Sequence, residues 1–368
     1  MTTNILDYFT LQNILGFFTP WIGYAVITLL HCIFPARKIK GYVRHDKTGD
    51  LLHYRINGIF VLIASVLIWW GLGKHNWVPW DWMYTVRWAS LAGAVTLGLL
   101  YSLIVVFIRP STGKNFIADF WFGRIKNPQF KNGFIDAKMW LYLIGAVWLE
   151  INILSFAAHH WQSPDGFNLG YLAATGLLSF FLWEYLSFEK VHLYTYDLIA
   201  ERVGFKLGFG CLAFYPYFYS VGLWATVDLP NPDRPLWYTI ACACIYFTGW
   251  AIARGANMQK YFFKISPEKK FLGIKPLILS DGKHSLLANG FWGKSRHINY
   301  LGEILEAVGI VLATGYFSVW LIWLYPAYYV FLFITRQIDD NKICKAKYGD
   351  LWDEYVKKAK YRIIPYIY

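Results

Sequence analysis

Charged residues are scarce in this chain, and their scarcity excludes an ordinary soluble domain. Only 16% of the 368 residues are Asp, Glu, Lys or Arg, whereas soluble domains average about 25%. Apolar residues make up 57% of the chain. Whole segments are apolar on every face, which indicates lipid or a buried bundle as their surroundings. The composition therefore predicts an all-α fold, a polytopic bundle of transmembrane helices.

Motifs for metal and nucleotide chemistry are also missing from the sequence. It contains no GxGxxG, Walker A or GxSxG motif, and none of the HxxxH or HxxHH clusters of membrane di-iron oxygenases. His159 and His160 are adjacent, so on a helix they would point to different faces. No metal site is predicted. The five cysteines show no ligand spacing and are interpreted as free thiols.

Apolar segments of spanning length are present in number. A helix needs roughly 20 apolar residues to cross a bilayer, and such segments lie at 14–35, 57–73, 87–108, 139–157, 167–185, 205–225 and 236–254. The stretch 301–335 would measure about 52 Å as one helix, so it is predicted to be two spans folded near 315–318. These make nine spans, and a tenth is considered at 1–13 or at 271–280.

Lysine and arginine are concentrated in every second loop. The net charge is +12, and the loops 36–56, 109–138, 186–206, 254–300 and 336–368 carry most of the positive charge. The positive-inside rule then predicts that these loops and the C-terminus are cytosolic, at an anionic lipid surface. We expect membrane lipid, and no nucleic acid, as the partner of this charge. The host membrane would be the endoplasmic reticulum in a eukaryote and the inner membrane in a bacterium.

The end of the seventh span carries a polar face. Asn257, Lys260, Tyr261 and Lys264 share one side of a helix by their spacing. Two ammonium groups one turn apart repel each other unless an anion lies between them, so this face would suit a ligand that carries phosphate. The alternative is an anchor whose lysines reach out to the membrane interface.

The segment 291–303 places unusual chemistry at the mouth of a span. Trp292, Arg296, His297, Asn299 and Tyr300 combine rings, a guanidinium and an amide within nine residues. Such a set could stack an adenine or nicotinamide ring and bind a ribose. The alternative is an aromatic and basic anchor at the membrane interface.

The last span leads into a charged helix. Arg336 and Asp340 are i, i+4 partners on it, and a carboxylate this close to the membrane is a functional candidate. The alternative is a helix salt bridge worth a few tenths of a kcal/mol.

Read together, these blocks resemble the sterol double-bond reductase family, which includes the C-14, C-7 and C-24(28) reductases and the membrane part of the lamin B receptor. The resemblance runs from about residue 109 to 368. It rests on six blocks in order: Asp119–Gly123 with Asn127-Pro128 and Asp136–Met139; Glu189 with Thr195, Asp197, Gly204 and Phe205; Pro216 and Tyr219; Arg254, Asn257, Gln259 and Lys260; Trp292, Arg296, His297, Asn299, Tyr300 and Gly302; and Arg336, Asp340, Cys344, Lys347, Tyr348, Gly349, Trp352, Tyr355 and Pro365.

The resemblance implies NADPH-dependent reduction of a carbon–carbon double bond in a sterol substrate, with Δ14 as the leading position. It implies one reductase domain over 1–368, in which segments 1–200 and 201–368 form the sterol and NADPH pockets. The cofactor-binding residues would be Asn257, Lys260, Lys264, Trp292, Arg296, His297, Asn299, Tyr300, Arg336, Asp340 and Tyr348. An isolated alkene must be protonated before it accepts hydride, and the candidate acids are Asp340, Tyr219 and Glu189.

Several departures from the family pattern leave the position of the double bond open. Four residues differ from the usual family residue: Lys264 replaces Arg, Phe291 replaces Trp, Glu303 replaces Asp and Asp339 replaces Arg. Cys211 and Gly222 also differ from the residues that many C-14 and C-7 reductases have at these positions. Two other functions are also considered. One is a methyltransferase of the isoprenylcysteine carboxyl type, which uses S-adenosylmethionine, and the other is a sterol-binding protein without turnover. The sequence does not indicate an oligomeric state.

Overall fold

The computed structural model describes residues 10–45, 48–113, 115–163 and 168–368. The chain forms two compact units, one that ends at Asn231 and one that runs from Pro232 to Tyr368. The sequence-based division fell at 200/201, and the organisation of both parts into a single reductase domain stays a prediction.

The first unit is mostly helical. Its elements are α1 (Leu11–Ile33), β1 (Arg37–Arg44), β2 (Leu51–Ile56), α2 (Gly58–Lys74), α3 (Trp82–Thr85), α4 (Arg87–Phe107), α5 (Phe116–Phe122), β3 (Gln129–Phe130), β4 (Ile135–Asp136), α6 (Ala137–Trp161), α7 (Leu169–Ser187), α8 (Glu189–His192), α9 (Tyr196–Ile199), α10 (Phe205–Phe209), α11 (Tyr215–Phe218) and α12 (Val221–Thr226). Strands β1 and β2 form one antiparallel ribbon, and β3 and β4 form another.

Helix α6 occupies the interior of the first unit. In its most apolar stretch 78% of the residues are buried, against 33% for α1 and α4 and 44% for α7. Its N-terminus is capped by Asp136, whose side chain accepts the backbone N–H groups of Lys138 and Met139. Because a carboxylate at this position satisfies N–H groups that have no partner within the helix, it fixes where α6 begins.

The Asp119–Gly123 block is structural in this fold. Asp119 accepts the hydroxyl of Ser111 at 2.9 Å and the Nε of Arg124 at 2.9 Å. The hydrogen bond from the Thr112 hydroxyl, together with those from Ser111, the Thr112 backbone and Arg124, lowers the pKa of Asp119 to about 2. Gly123 has φ +86°, and a Cβ there would lie 2.1 Å from the carbonyl oxygen of Val203. Only glycine therefore fits at this close approach of two backbone segments.

The predicted span 205–225 is divided in the structure. Between α10 and α11 the chain forms a π-helical turn, Gly210–Phe214, and α11 ends one residue before Tyr219. Pro216 lies in the first turn of α11, a position that tolerates proline because the N–H group there has no partner within that helix. The expectation of one regular helix here is wrong, because the sequence pattern shows apolar length but not the π turn.

The second unit consists of α13 (Leu236–Ile265), β5 (Ile278–Ser280), β6 (Ser285–Leu287), α14 (Phe291–Lys294), α15 (Ile298–Ala313), a 3₁₀ turn (Trp320–Trp323), α16 (Leu324–Tyr348) and α17 (Asp350–Lys358). Helices α13 and α15 pack closely. A Cβ at Gly302 would lie 2.5 Å from the carbonyl oxygen of Gly249 and 2.5 Å from the backbone nitrogen of Ala253. The glycines thus allow the two backbones to approach each other.

The predicted division of 301–335 is confirmed. Helix α15 ends at Ala313, Gly315 adopts φ +84°, and α16 begins at Leu324. The residues 271–280 hold an isolated bridge and strand β5 without a helix, so a tenth span there is wrong. The other position considered, 1–13, lies mostly outside the described residues.

Five described helices are long and apolar enough to cross a membrane: α1, α4, α6, α7 and α13. Four of the nine predicted spans do not meet this criterion: α2 has 17 residues, α15 has 16, 205–225 is divided, and α16 is charged from Arg336 onward. Apolar side chains remain exposed on these helices, among them Leu11 at 72% and Ile22 at 63%, as expected where lipid replaces water. The chain is a polytopic helical membrane protein, as its sequence predicts.

Candidate functional site

Polar side chains from α13, α15 and α16 meet within the second unit. Lys260 lies on α13, His297 precedes α15, and Asp340 lies on α16. The Nε2 atom of His297 is 3.8 Å from the Oδ2 atom of Asp340. Burial lowers the pKa of His297 and raises the pKa of Asp340, and the positive charge of Lys260 acts on both groups by lowering both pKa values. Three predicted cofactor residues, far apart in sequence, are therefore neighbours.

His297 is held as a neutral ring. It is 4% exposed, and burial lowers its pKa to about 3, with further lowering by the charges of Lys260 and Arg296. Its ring stacks on Tyr300 at 5.0 Å, and Tyr300 stacks on Phe333 at 4.4 Å. Because the imidazole is neutral at pH 7, its approach to Asp340 is not an ion pair.

Two buried polar atoms at this site have no hydrogen-bond partner within the described part of the chain. They are the Nε2 of His297 and the Oδ1 of Asn299. The amide nitrogen of Asn299 donates to the Oδ1 of Asn257 at 3.4 Å, so α13 and α15 are also joined here. Most buried polar groups are paired, and atoms left over in a cluster are suited to bind a polar ligand.

Trp292 is fixed against α13. Its Nε1 donates to the carbonyl of Ala256 at 2.8 Å, and its own carbonyl accepts the hydroxyl of Tyr355 at 2.9 Å. The Nζ of Lys260 lies 5.4 Å from the centre of the Trp292 ring. This cation–π contact keeps the ammonium group beside the indole.

Gln259 holds the turn that precedes Trp292. Its Oε1 accepts the backbone N–H of Phe291 at 3.0 Å, and its Nε2 donates to the carbonyl of Asn289 at 3.4 Å. Gly290, with φ +64°, passes so close that a Cβ there would lie 2.1 Å from the Gln259 Nε2. Gln259 was part of the sequence resemblance but not of the predicted site. The sequence feature that could have identified Gln259 as a site residue is its position next to Lys260 in the motif.

Arg296 has contacts that differ from those expected of a phosphate ligand. Its Nη1 donates to the carbonyls of Ala359 at 3.0 Å and Lys360 at 3.2 Å. These carbonyls lie just past the end of α17, where helix carbonyls lack partners and carry partial negative charge. The structure thus uses Arg296 to fix the C-terminal segment. The sequence could not reveal this, because 63 and 64 residues separate the partners.

The remaining cofactor candidates of the second unit surround this cluster less closely. Arg336 lies one turn before Asp340, and its charge partly opposes the rise in the pKa of Asp340 that burial causes. Lys264 lies one turn after Lys260, with its Nζ 5.7 Å from the Phe263 ring centre. Tyr348 lies two turns beyond Asp340, where it meets His284 edge-on at 5.3 Å. Tyr348 therefore packs against the β5–β6 hairpin.

Cys344 is an addition to the predicted site. Its Sγ lies 3.9 Å from the Oδ2 of Asp340, one turn earlier on α16. Burial and the charge of Asp340 raise the pKa of this thiol to about 12, so the group is a protonated donor. The sequence feature that could have identified Cys344 as a neighbour of Asp340 is their i, i+4 spacing on a helix.

The two other acid candidates belong to the first unit. Glu189 is 3% exposed, and its Oε2 accepts the backbone N–H of Gly58 at 2.8 Å. Burial raises the pKa of Glu189 to about 7. Its carboxyl thus caps the N-terminus of α2. Tyr219 is half-buried and meets Tyr215 edge-on at 4.6 Å.

The arrangement in the second unit offers defined chemistry. Lys260 and Lys264 supply positive charge for an anionic ligand, the neutral His297 and the Asn299 amide supply unpaired polar atoms, and Asp340 is a half-buried carboxyl. Among the described residues no group of three or more His, Cys, Asp or Glu side chains is placed to hold a metal ion.

The chain is similar to known proteins over nearly its whole length. The family described as Ergosterol biosynthesis ERG4/ERG24 family matches residues 4–368. A Delta(14)-sterol reductase from Arabidopsis thaliana is 32% identical over 356 residues, which cover 91% of this chain and 91% of the relative. Delta(14)-sterol reductases from Methylotuvimicrobium alcaliphilum (29% identity, 96% of this chain and 83% of the relative) and Mus musculus (32%, 95% and 84%) are also similar.

Proposed function

Because the chain belongs to the ergosterol biosynthesis ERG4/ERG24 family, we propose that it reduces the Δ14 double bond of a sterol. It is an enzyme, an oxidoreductase that acts on a carbon–carbon double bond of a sterol. The observation that carries this conclusion is similarity to Delta(14)-sterol reductases along more than 90% of the chain. Membership in this family favours reduction over the methyltransferase alternative.

NADPH is the cofactor that we propose, and a reduced nicotinamide supplies hydride when it is bound. The residues present fit such a group. Lys260 and Lys264 place two ammonium groups one helical turn apart, where phosphate oxygens would relieve their repulsion. The unpaired Nε2 of His297 and Oδ1 of Asn299 would serve the carboxamide or a ribose hydroxyl. Trp292, Tyr300, Arg336 and Tyr348 remain candidates for further contacts.

Asp340 is the group that we propose for delivery of the proton. The sterol alkene has to be protonated to create an electron-poor carbon, and this requires a positioned acid. Asp340 is half-buried, and burial raises the pKa of its carboxyl despite the opposing effects of the Lys260 charge, the Cys344 thiol and the Arg336 charge. It can therefore hold a proton from water and pass it on. Tyr219 is the second candidate, and the contacts of Glu189 favour a structural role.

The positions of the basic loops predict the side of the membrane from which NADPH enters. Its phosphates and ribose confine NADPH to the aqueous side, and the polar cluster lies at helix ends that the positive-inside rule assigns to the cytosol. We propose that the C-terminus is cytosolic, in the endoplasmic reticulum of a eukaryote or the inner membrane of a bacterium. The sterol would enter from the lipid.

The test is a direct assay on purified protein. We expect that, with NADPH, a sterol with a Δ14 double bond gains two hydrogens by mass, while sterols with only Δ7 or Δ24(28) bonds react more slowly. Preference for one of the latter would move the proposal to that bond. Binding of sterol without turnover of any would support the non-catalytic alternative, and methyl transfer from S-adenosylmethionine would overturn the assignment.

A further inference from the structure

One face of the β1–β2 ribbon is basic on both strands. In the antiparallel register Lys38 pairs with Arg55, and Lys40 pairs with His53. Residues directly opposite each other share a face of the sheet. Past an irregularity in the register, Arg44 pairs with Leu51 on the same face. Lys38, Lys40, Arg44, His53 and Arg55 are called the basic ribbon here.

Like charges at opposite positions of a ribbon destabilise it. The described ion pairs include neither Lys38 nor Lys40 nor Arg44. In the described part of the ribbon, residues 37–45 and 48–56, the only carboxylate is Asp50, near the hairpin tip. The described charge is therefore nearly all of one sign. An anion bound beside Lys38 and Lys40 would reduce the repulsion between their ammonium groups, whereas Arg55 is already bound by carbonyls at the end of α1.

The ribbon is held in place, so its charges are preorganised. Val43, Leu52 and Tyr54, on the opposite face, pack with Met139 and Leu198 in a hydrophobic cluster. The guanidinium of Arg55 donates to the carbonyls at the end of α1, those of His31 at 3.1 Å and Cys32 at 3.0 Å. Lys38 and Lys40 are exposed on this fixed support. Binding of an anion would cost little loss of backbone freedom.

The ribbon is also tied to the membrane at both ends. Strand β1 begins at Arg37, four residues after the spanning helix α1 ends at Ile33, and β2 ends at Ile56, two residues before the apolar helix α2 begins. At about 3.3 Å per residue, Lys38 and Lys40 lie within roughly 25 Å of the end of α1. We propose that the basic ribbon binds the phosphate groups of anionic phospholipids in the surrounding bilayer.

The test compares two double variants of the full-length protein. Lys38→Gln with Lys40→Gln removes two charges from the basic ribbon. Lys269→Gln with Lys270→Gln removes two exposed charges elsewhere. Each protein is placed in phosphatidylcholine nanodiscs with a graded fraction of phosphatidylglycerol, and the unfolding temperature is followed. We expect the ribbon variant to need more phosphatidylglycerol for the same stabilisation, by roughly fivefold for each lysine removed, and the control to match the wild type.

Three further results decide the proposal. Lys38→Arg with Lys40→Arg should restore the response, because arginine keeps the charge and binds phosphate well. An unchanged response in the ribbon variant would overturn the proposal. If millimolar inorganic phosphate stabilises the wild type in pure phosphatidylcholine as much as the anionic lipid does, the site binds soluble anions and the lipid assignment is wrong. None of these measurements depends on sterol turnover, so failure of the lipid proposal can be distinguished from failure of the proposed enzymatic activity.

Discussion

Replacement of Glu189 separates a structural role from a catalytic one. Its carboxyl is buried under the N-terminus of α2, and its pKa is raised from 4.5 to about 7 by burial. This displacement corresponds to roughly 3 kcal/mol between the protonated and ionised forms. Because the folded-state pKa lies above the unfolded-state value, the contribution of the carboxyl to stability is complete below about pH 4.5 and is lost as the pH rises through 7.

Glu189→Gln resembles the protonated carboxyl and cannot ionise. We expect the variant to unfold like the wild type at about pH 4 and to be more stable at about pH 8, by an amount that approaches roughly 3 kcal/mol. Turnover should stay within a few-fold. The measurement is thermal unfolding in detergent across this pH range, followed by tryptophan fluorescence. Glu268→Gln, at an exposed position, is the control that should keep the wild-type pH dependence.

Two outcomes would refute this reasoning about Glu189. If the unfolding curves of Glu189→Gln and the wild type run parallel from acid to alkaline pH, the carboxyl does not titrate as its burial requires. If turnover falls by roughly 10²–10⁴ while the fold persists, Glu189 lies in the proton path.

The remaining predictions concern the second unit. Lys260→Ala should weaken NADPH binding more than tenfold, since a charge-assisted contact contributes about 1.5–3 kcal/mol. Calorimetric titration should show a smaller loss of affinity for NADH. The control, Lys275→Ala, at an exposed position, should bind NADPH like the wild type. An equal loss for both cofactors would place Lys260 on the pyrophosphate, and no loss would contradict the site. Asp340→Asn should bind NADPH within a few-fold while steady-state turnover falls by roughly 10²–10⁴; collapse of binding would make Asp340 a cofactor ligand instead. A cysteine introduced at Ser285 should react with an impermeant reagent only from the cytosolic side, and labelling from the opposite side would reverse the topology.

Features that depend on local sequence were the ones predicted well. The predicted helical face formed by Asn257, Lys260, Tyr261 and Lys264 lies in α13, which continues to Ile265, beyond the end of the apolar segment at residue 254. The turn at Gly315 was visible because no single helix of that length fits a bilayer. The spacing that placed Asn257 and Lys260 on one face holds in a regular helix.

Features that depend on partners distant in sequence were missed. Arg296 carried the expected charge, but the carbonyls that it binds lie more than 60 residues away. Glu189 was predicted as a candidate acid, and its contact with the Gly58 nitrogen at 2.8 Å, 131 residues earlier, became visible only in the fold. The π-helical turn Gly210–Phe214 does not change the hydropathy of the chain. The divided segment 205–225 therefore resembled a single membrane-spanning helix in the sequence.

Isotope transfer tests the central claim most directly. The purified protein is given a sterol with a Δ14 double bond and NADPH that carries deuterium at the transferred position, in H₂O and in D₂O, and the product is analysed by mass spectrometry. The account predicts one deuterium from the cofactor in H₂O and a second, from solvent, in D₂O, because hydride and proton add across one double bond. A product without deuterium from the cofactor, or an unchanged sterol, would contradict it.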